Sequence, residues 1–199
     1  MATRRPSATD PPAPEVLEFA DHVAWEAWLR EHHADRSGVW LRIAKKSAPV
    51  RTVAYPEVLD VAICHGWIDG QRKSLDEIFF LQRFTRRAPR SRWSQVNREK
   101  ALALIEAGRM HPAGRAEVEA AQADGRWAAA YEPQSRASVP EDLQRALDEN
   151  PRAAEFFASL TGARRYAFLY RLHNVRTPER RAQRIAEYIA RLSEGRTLS

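Results

Sequence analysis

The residues in this chain whose types and spacing could do chemistry crowd into one stretch. Between Arg72 and Lys100 there are nine basic and three acidic residues, whereas the rest of the chain carries 23 of each sign. The whole formal excess of +6 therefore lies in that segment. Charge placed so unevenly points to an anionic partner. Arg83, Arg87, Arg90 and Arg92 run up to Ser94, which reads as the N-cap of a helix. A helix start offers unpaired N–H groups and a partial positive charge, and guanidinium forks suit phosphate or carboxylate. Ser94 adds a hydroxyl, and Trp67 and Trp93 could supply flat apolar walls. Asp69, with Arg72 or Arg83, could form an internal ion pair that holds an arginine fork. The expectation is a pocket for a small phosphate- or carboxylate-bearing ligand. The plainer alternative makes both tryptophans core residues, Ser94 only a cap, and the arginines solvated or paired with acids.

Other candidates carry less. Cys64-His65 places a thiol beside an imidazole, but helical neighbours point about 100° apart and do not face each other. A lone cysteine behind Val61, Ala62 and Ile63 reads as a small buried hydrophobe. His32, His33 and His111 lack a spacing partner, and one cysteine excludes an intramolecular disulfide or a multi-cysteine metal site. The sequence therefore predicts no metal and no cofactor, and names no catalytic residue. The competing reading of the basic stretch is nonspecific nucleic-acid binding, with Phe79, Phe80, Phe84 and Trp93 as stacking platforms. No helix-turn-helix, zinc or RNA-recognition signature accompanies it. Phe79 and Phe80 are consecutive and must point to opposite faces of a strand. Arg180, Arg181, Arg184 and Arg191 alternate with Glu179 and Glu187 and read as a solvated helix face.

The elements that must position these residues follow from periodicity. Asp21 can cap a helix whose Trp25, Trp28, Leu29 and His32 share a face. Val39, Leu41 and Ile43 alternate with Trp40, Arg42 and Ala44 as a strand. Tyr55-Pro56 opens a second helix that Gly66 stops. Trp67–Lys73 and Ile78–Thr85 read as a hairpin, followed by the basic loop Arg86–Arg92 and a helix from Ser94 to Gly108. Pro112, Pro151 and Pro178 each sit where a first helical residue belongs, the last two behind Asn150 and Thr177 as caps. The fold class is α+β: a small antiparallel sheet packed with helices, then a helical C-terminal segment. The expected organisation is a disordered tail over 1–14, an α+β part over 15–110, and a helical part over 111–199 sharing one core with it.

The stretch from Cys64 to Asn97 also carries a resemblance. Gly66-Trp67-Ile68-Asp69-Gly70, Arg83-Phe84-Thr85, Ser91-Arg92-Trp93-Ser94 and Asn97, with Glu106-Ala107-Gly108-Arg109-Met110 after them, resemble the YdeI/OmpD-associated, or bacteriocin-protection, family. The likeness covers roughly 15–195 and is strongest from 64 to 114, with Arg86 standing where the family has proline. The resemblance adds Asn97 to the candidate ligand-binding set. It implies a protein-interaction role in envelope stress or bacteriocin tolerance as a further alternative, and no established reaction. Arg4-Arg5 is not followed by an apolar segment and no run approaches a membrane span, so the expectation is a cytoplasmic protein without membrane insertion.

Overall fold

The computed structural model describes residues 15–198, so the tail expected over 1–14 lies outside the described residues. The chain is α+β and divides into two compact units. The first holds the described residues up to Ser91 together with Asn97–Ala128, and the second holds Arg92–Val96 together with the chain from Ala129 onward. Among the described residues no helix is long and apolar enough to cross a membrane.

The first unit contains β1 (Val16–Leu17), α1 (His22–His32), β2 (Gly38–Ala44), α2 (Tyr55–Cys64), β3 (Trp67–Ser74), β4 (Phe79–Arg86), most of α3 (Gln95–Glu106), and α4 (Pro112–Ala123). Asp21 caps α1 as its residue type demands, accepting from the Ala24 amide at 2.9 Å. Trp25 and Leu29 are buried, and the Trp25 indole donates to the Val58 carbonyl of α2 at 3.2 Å. Gly66, with φ at +75°, turns the chain out of α2 into β3, a conformation that favours glycine. The sheet runs β1-β2-β4-β3. β1 was not legible in the sequence, and it pairs parallel to β2, so the sheet is mixed where an antiparallel one was expected. Val39, Leu41, Ile43, Phe80 and Phe84 form its buried face. The Asp76 carboxylate closes the hairpin by accepting from the Ile78 and Phe79 amides at 2.8 and 2.7 Å.

β3 contains a bulge between Asp69 and Arg72. The Gln82 side-chain amide, only 2% exposed, pins it by donating to the Gly70 and Gln71 carbonyls at 3.1 and 3.2 Å. One extra residue reverses which side chains face which way beyond it. Arg72 therefore lies opposite Gln82 and Lys73 opposite Leu81. Arg72 is placed on the buried-face side, over Phe80, and Lys73 on the other.

The second unit is built from α5 (Glu141–Asp148), α6 (Pro151–Ser159), α7 (Gly162–His173) and α8 (Pro178–Ser193). Leu143, Leu147, Phe157, Phe168, Leu172, Tyr188 and Leu192 are its core. Pro151 and Pro178 open their helices as expected, but neither Asn150 nor Thr177 makes a side-chain cap bond. The Asn150 side-chain amide instead donates back to the Ala146 carbonyl in α5, at 2.8 Å. Arg92–Val96 joins this unit because the backbone around Ser94 bridges to Tyr131: Tyr131 donates to the Trp93 carbonyl and Gln95 to the Tyr131 carbonyl, at 3.0 and 2.8 Å.

α4, which the sequence grouped with the C-terminal helices, lies in the first unit. Its contact with α2 depends on Gly114. A Cβ there would sit 2.2 Å from the Cys64 carbonyl oxygen and 2.7 Å from the carbonyl carbon. Gly114→Ala should cost about 1–3 kcal/mol by overpacking a backbone that cannot move aside. Gly70→Ala, whose Cβ would come no nearer than 3.8 Å to the Arg83 carbonyl oxygen, serves as the control. Equal unfolding midpoints in denaturant for the two variants would refute the packing argument. The expected sharing of one core can be tested by truncation. A chain ending at Ala128 loses Tyr131, the backbone partner of Trp93, and should be aggregation-prone. A soluble fragment melting cooperatively would instead show that the first unit folds alone.

Candidate functional site

The face of the sheet opposite its buried side carries aromatic rings under cations, with Trp40 only 4% exposed and the side chains around it half-buried to exposed. Trp40 on β2 and Arg83 on β4 are cross-strand partners. The Lys73 ammonium lies 4.7 Å and the Arg83 guanidinium 6.0 Å from the centroid of the Trp40 ring. Further along, the Arg42 guanidinium lies 4.4 Å from the centroid of Phe79. Arg42 is neutralised by Glu18. Lys73 and Arg83 have no ion-pair partner among the described residues. A ring attracts a cation through its quadrupole and restrains it, yet leaves its charge and N–H donors available. Trp40, Arg42 and Lys73 were missed by sequence reasoning. The alternation of β2 was the available signal for the first two, whereas the bulge hid Lys73.

The structure distributes the expected site residues over several places. Trp67 is fully buried, its indole donating to the His33 carbonyl at 3.1 Å and its ring edge-on to Trp25 and Trp28. It is a core residue here, not an exposed wall. Asp69 accepts from the Tyr55 hydroxyl at 2.7 Å, so its hydrogen bond comes from a tyrosine where an arginine was expected. Burial and that bond push the Tyr55 hydroxyl well above its usual range. Arg72 stacks over Phe80 at 3.8 Å on the side away from Arg83, so the two do not converge. Arg87 is only 5% exposed. Its amide donates to the Gly66 carbonyl at 3.0 Å and its guanidinium to the Ser91 hydroxyl at 3.5 Å. The buried Arg126 holds the same loop, donating to the Ser91 carbonyl at 2.8 Å while paired with Asp124.

At the end of the basic loop, Trp93 is buried and Ser94 half-buried, both in the second unit. The Gln95 amide, one of the N–H groups expected to face an anion, is taken by the Tyr131 carbonyl. Arg92 is engaged within that unit, with its guanidinium 4.7 Å from the Tyr170 ring centroid and hydrogen-bonded to the Tyr170 hydroxyl. Asn97, buried on α3, belongs to the first unit.

The end of α2 gathers a second group. Cys64 is 4% exposed, and burial pushes its thiol up to about 11, which suits a packing residue and not a nucleophile. His65 stands beside two histidines from distant segments. Ring centroids are 4.8 Å apart for His65 and His111, 4.9 Å for His33 and His111, and 5.9 Å for His33 and His65. Sequence spacing gave no sign of this meeting. Among the described residues no histidine, cysteine or carboxylate group is arranged to hold a metal ion.

No curated protein and no solved structure gives a significant match to the chain. Two family models do. Residues 136–195 match the family described as Bacteriocin-protection, YdeI or OmpD-Associated. The resemblance read from the sequence is therefore found, but on α5 to α8 and not on the 64–114 stretch where it was expected to be strongest. That stretch falls inside a second match, over residues 17–117, to a family described as a domain of unknown function, DUF8412. This match spans just over half of the 199 residues. The chain belongs to the DUF8412 family, and its C-terminal helices are similar to the YdeI/OmpD-associated proteins.

Proposed function

We propose that the first unit binds a small phosphate- or carboxylate-bearing ligand on the open face of its sheet, and that it does so in the cytoplasm. The observation that carries this reading is the placement of Lys73 and Arg83 over Trp40, held by a ring and not by a carboxylate. The segmental excess of +6 supports it, since both residues belong to that segment. Arg87 shapes the adjoining loop from its buried position and is not the ligand's main charge partner. Two charge-assisted hydrogen bonds at about 1.5–3 kcal/mol each, less the cost of association, correspond to modest affinity, micromolar at best.

Pyrophosphate titrated against the whole chain should stabilise it saturably in a thermal-shift assay, with one site by calorimetry. Arg83→Glu and Lys73→Glu should each weaken that binding about tenfold or more. Arg180→Glu, on the polar side of α8, should leave it unchanged. An unaltered curve for both sheet variants would defeat the assignment. Tight oligonucleotide binding with a steep salt dependence would transfer the face to nucleic acid.

A further inference from the structure

Two histidines at the end of α2 sit where a second proton is costly, His65 because of burial and His111 because of its role as a cap. The His65 Nδ1–H donates to the Val61 carbonyl at 3.1 Å, which leaves the unprotonated Nε2 as the only place for a second proton. That Nε2 is buried and has no hydrogen-bond partner among the described residues. A proton added there would be a buried donor without an acceptor, attached to a buried charge. His33 donates from Nδ1 to the Leu29 carbonyl at 3.0 Å.

His111 is constrained differently. It is the N-cap of α4, and its Nδ1 accepts from the Ala113 amide at 3.3 Å. An imidazolium has no lone pair to accept with, so protonation removes the cap. It also places a positive charge at the positive end of the α4 dipole. The same residue's amide donates to the Cys64 carbonyl at 3.2 Å, three positions before the close approach of Gly114.

We propose that the seating of the α4 N-terminus on the end of α2 is a proton-sensitive latch, closed while His65 and His111 are neutral and released locally on acidification. Of the charged groups around the cluster, the carboxylates of α1 and α2 are shared with other cations. Glu26 on α1 is paired with Arg30 at 2.9 Å, and Asp60 on α2 with Lys100. Arg109 precedes α4, and Glu117 lies on α4 beside Gly66. Burial holds His65 below the ordinary histidine value of 6.5, outweighing the Val61 hydrogen bond and Glu26, which favour the charged form, and burial with His33 and Arg30 lowers His111. The sign follows. As the pH falls below the ordinary value, the released form takes up protons that the closed form refuses, so the closed form loses its advantage.

Cys64 reports the latch, because it is the only thiol and lies beneath this junction. Its labelling by 4,4′-dithiodipyridine, which reacts in acid, is measured on the full chain and divided by the rate in denaturant at the same pH. The ratio should rise about tenfold or more between about pH 7.5 and pH 5, while the helical circular-dichroism signal persists. His111→Asn keeps a good cap and removes the titrating group, and should flatten the rise. A pH-independent ratio in the natural chain overturns the latch, as does a full rise retained by His111→Asn. A cooperative loss of the helical signal over the same range would mean global unfolding and overturn local release.

Discussion

The first unit depends on one corner, the three residues from Cys64 to Gly66 where α2 ends. Within it the chain must stop a helix, reverse into a strand, and accept two other segments. Gly66 permits the reversal by its left-handed backbone, and its carbonyl receives the Arg87 amide at 3.0 Å. The Cys64 carbonyl receives the His111 amide, and Gly114 allows α4 to approach within a distance no side chain would tolerate. Trp67, the first residue of β3, is fixed at once by the His33 carbonyl. The basic loop, the strand bearing Lys73 and the start of α4 are thus all tied to a few backbone carbonyls. Backbone hydrogen bonds at a buried corner have no water to substitute for them, which is why small residues and fixed tautomers recur there.

Two physical kinds of basic side chain can be told apart in this protein. Some are neutralised or committed. Arg181 grips Asp142 through two nitrogens and the Leu172 carbonyl through a third, so it stitches α8 to α5 and α7. Arg126 is paired with Asp124, and Arg92 is held by Tyr170. Others, Lys73 and Arg83 among the basic side chains of the sheet, rest on aromatic rings. A carboxylate partner cancels a charge and consumes its donors, whereas a ring restrains position with little neutralisation. A restrained, uncancelled cation loses less entropy on meeting an anion than a solvated one does. Overall net charge does not distinguish these cases. The partner each guanidinium finds in the fold does.

The elements were legible because their signals are local. Asp21 as a cap, proline at helix starts, the alternation of β2 and the hairpin that follows α2 are each decided within a few residues. β1 was not, since two residues hold no periodicity and their pairing with β2 is non-local. The site was only partly legible. Period-2 reading assumes an unbroken strand, and the bulge after Asp69 exchanges the faces of Arg72 and Lys73. Reading Asp69 as an arginine partner assumed that opposite charges meet, when the nearer donor is Tyr55 from the start of α2.

The histidine cluster shows what a local signal could have carried further. His33, His65 and His111 are dispersed in sequence, and nothing in their spacing brings them together. Yet Pro112 at a helix start makes His111 the N-cap by position, and a capping imidazole has to be an acceptor, hence neutral. Likewise an imidazole at the end of an apolar helix, as His65 is, can return its Nδ1–H to the carbonyl one turn back, which leaves the other nitrogen bare. For His111 the neutral state follows from the cap position alone. What the fold adds is proximity, which sets the buried ring of His65 against the capping ring of His111, so that a charge on one disfavours a charge on the other.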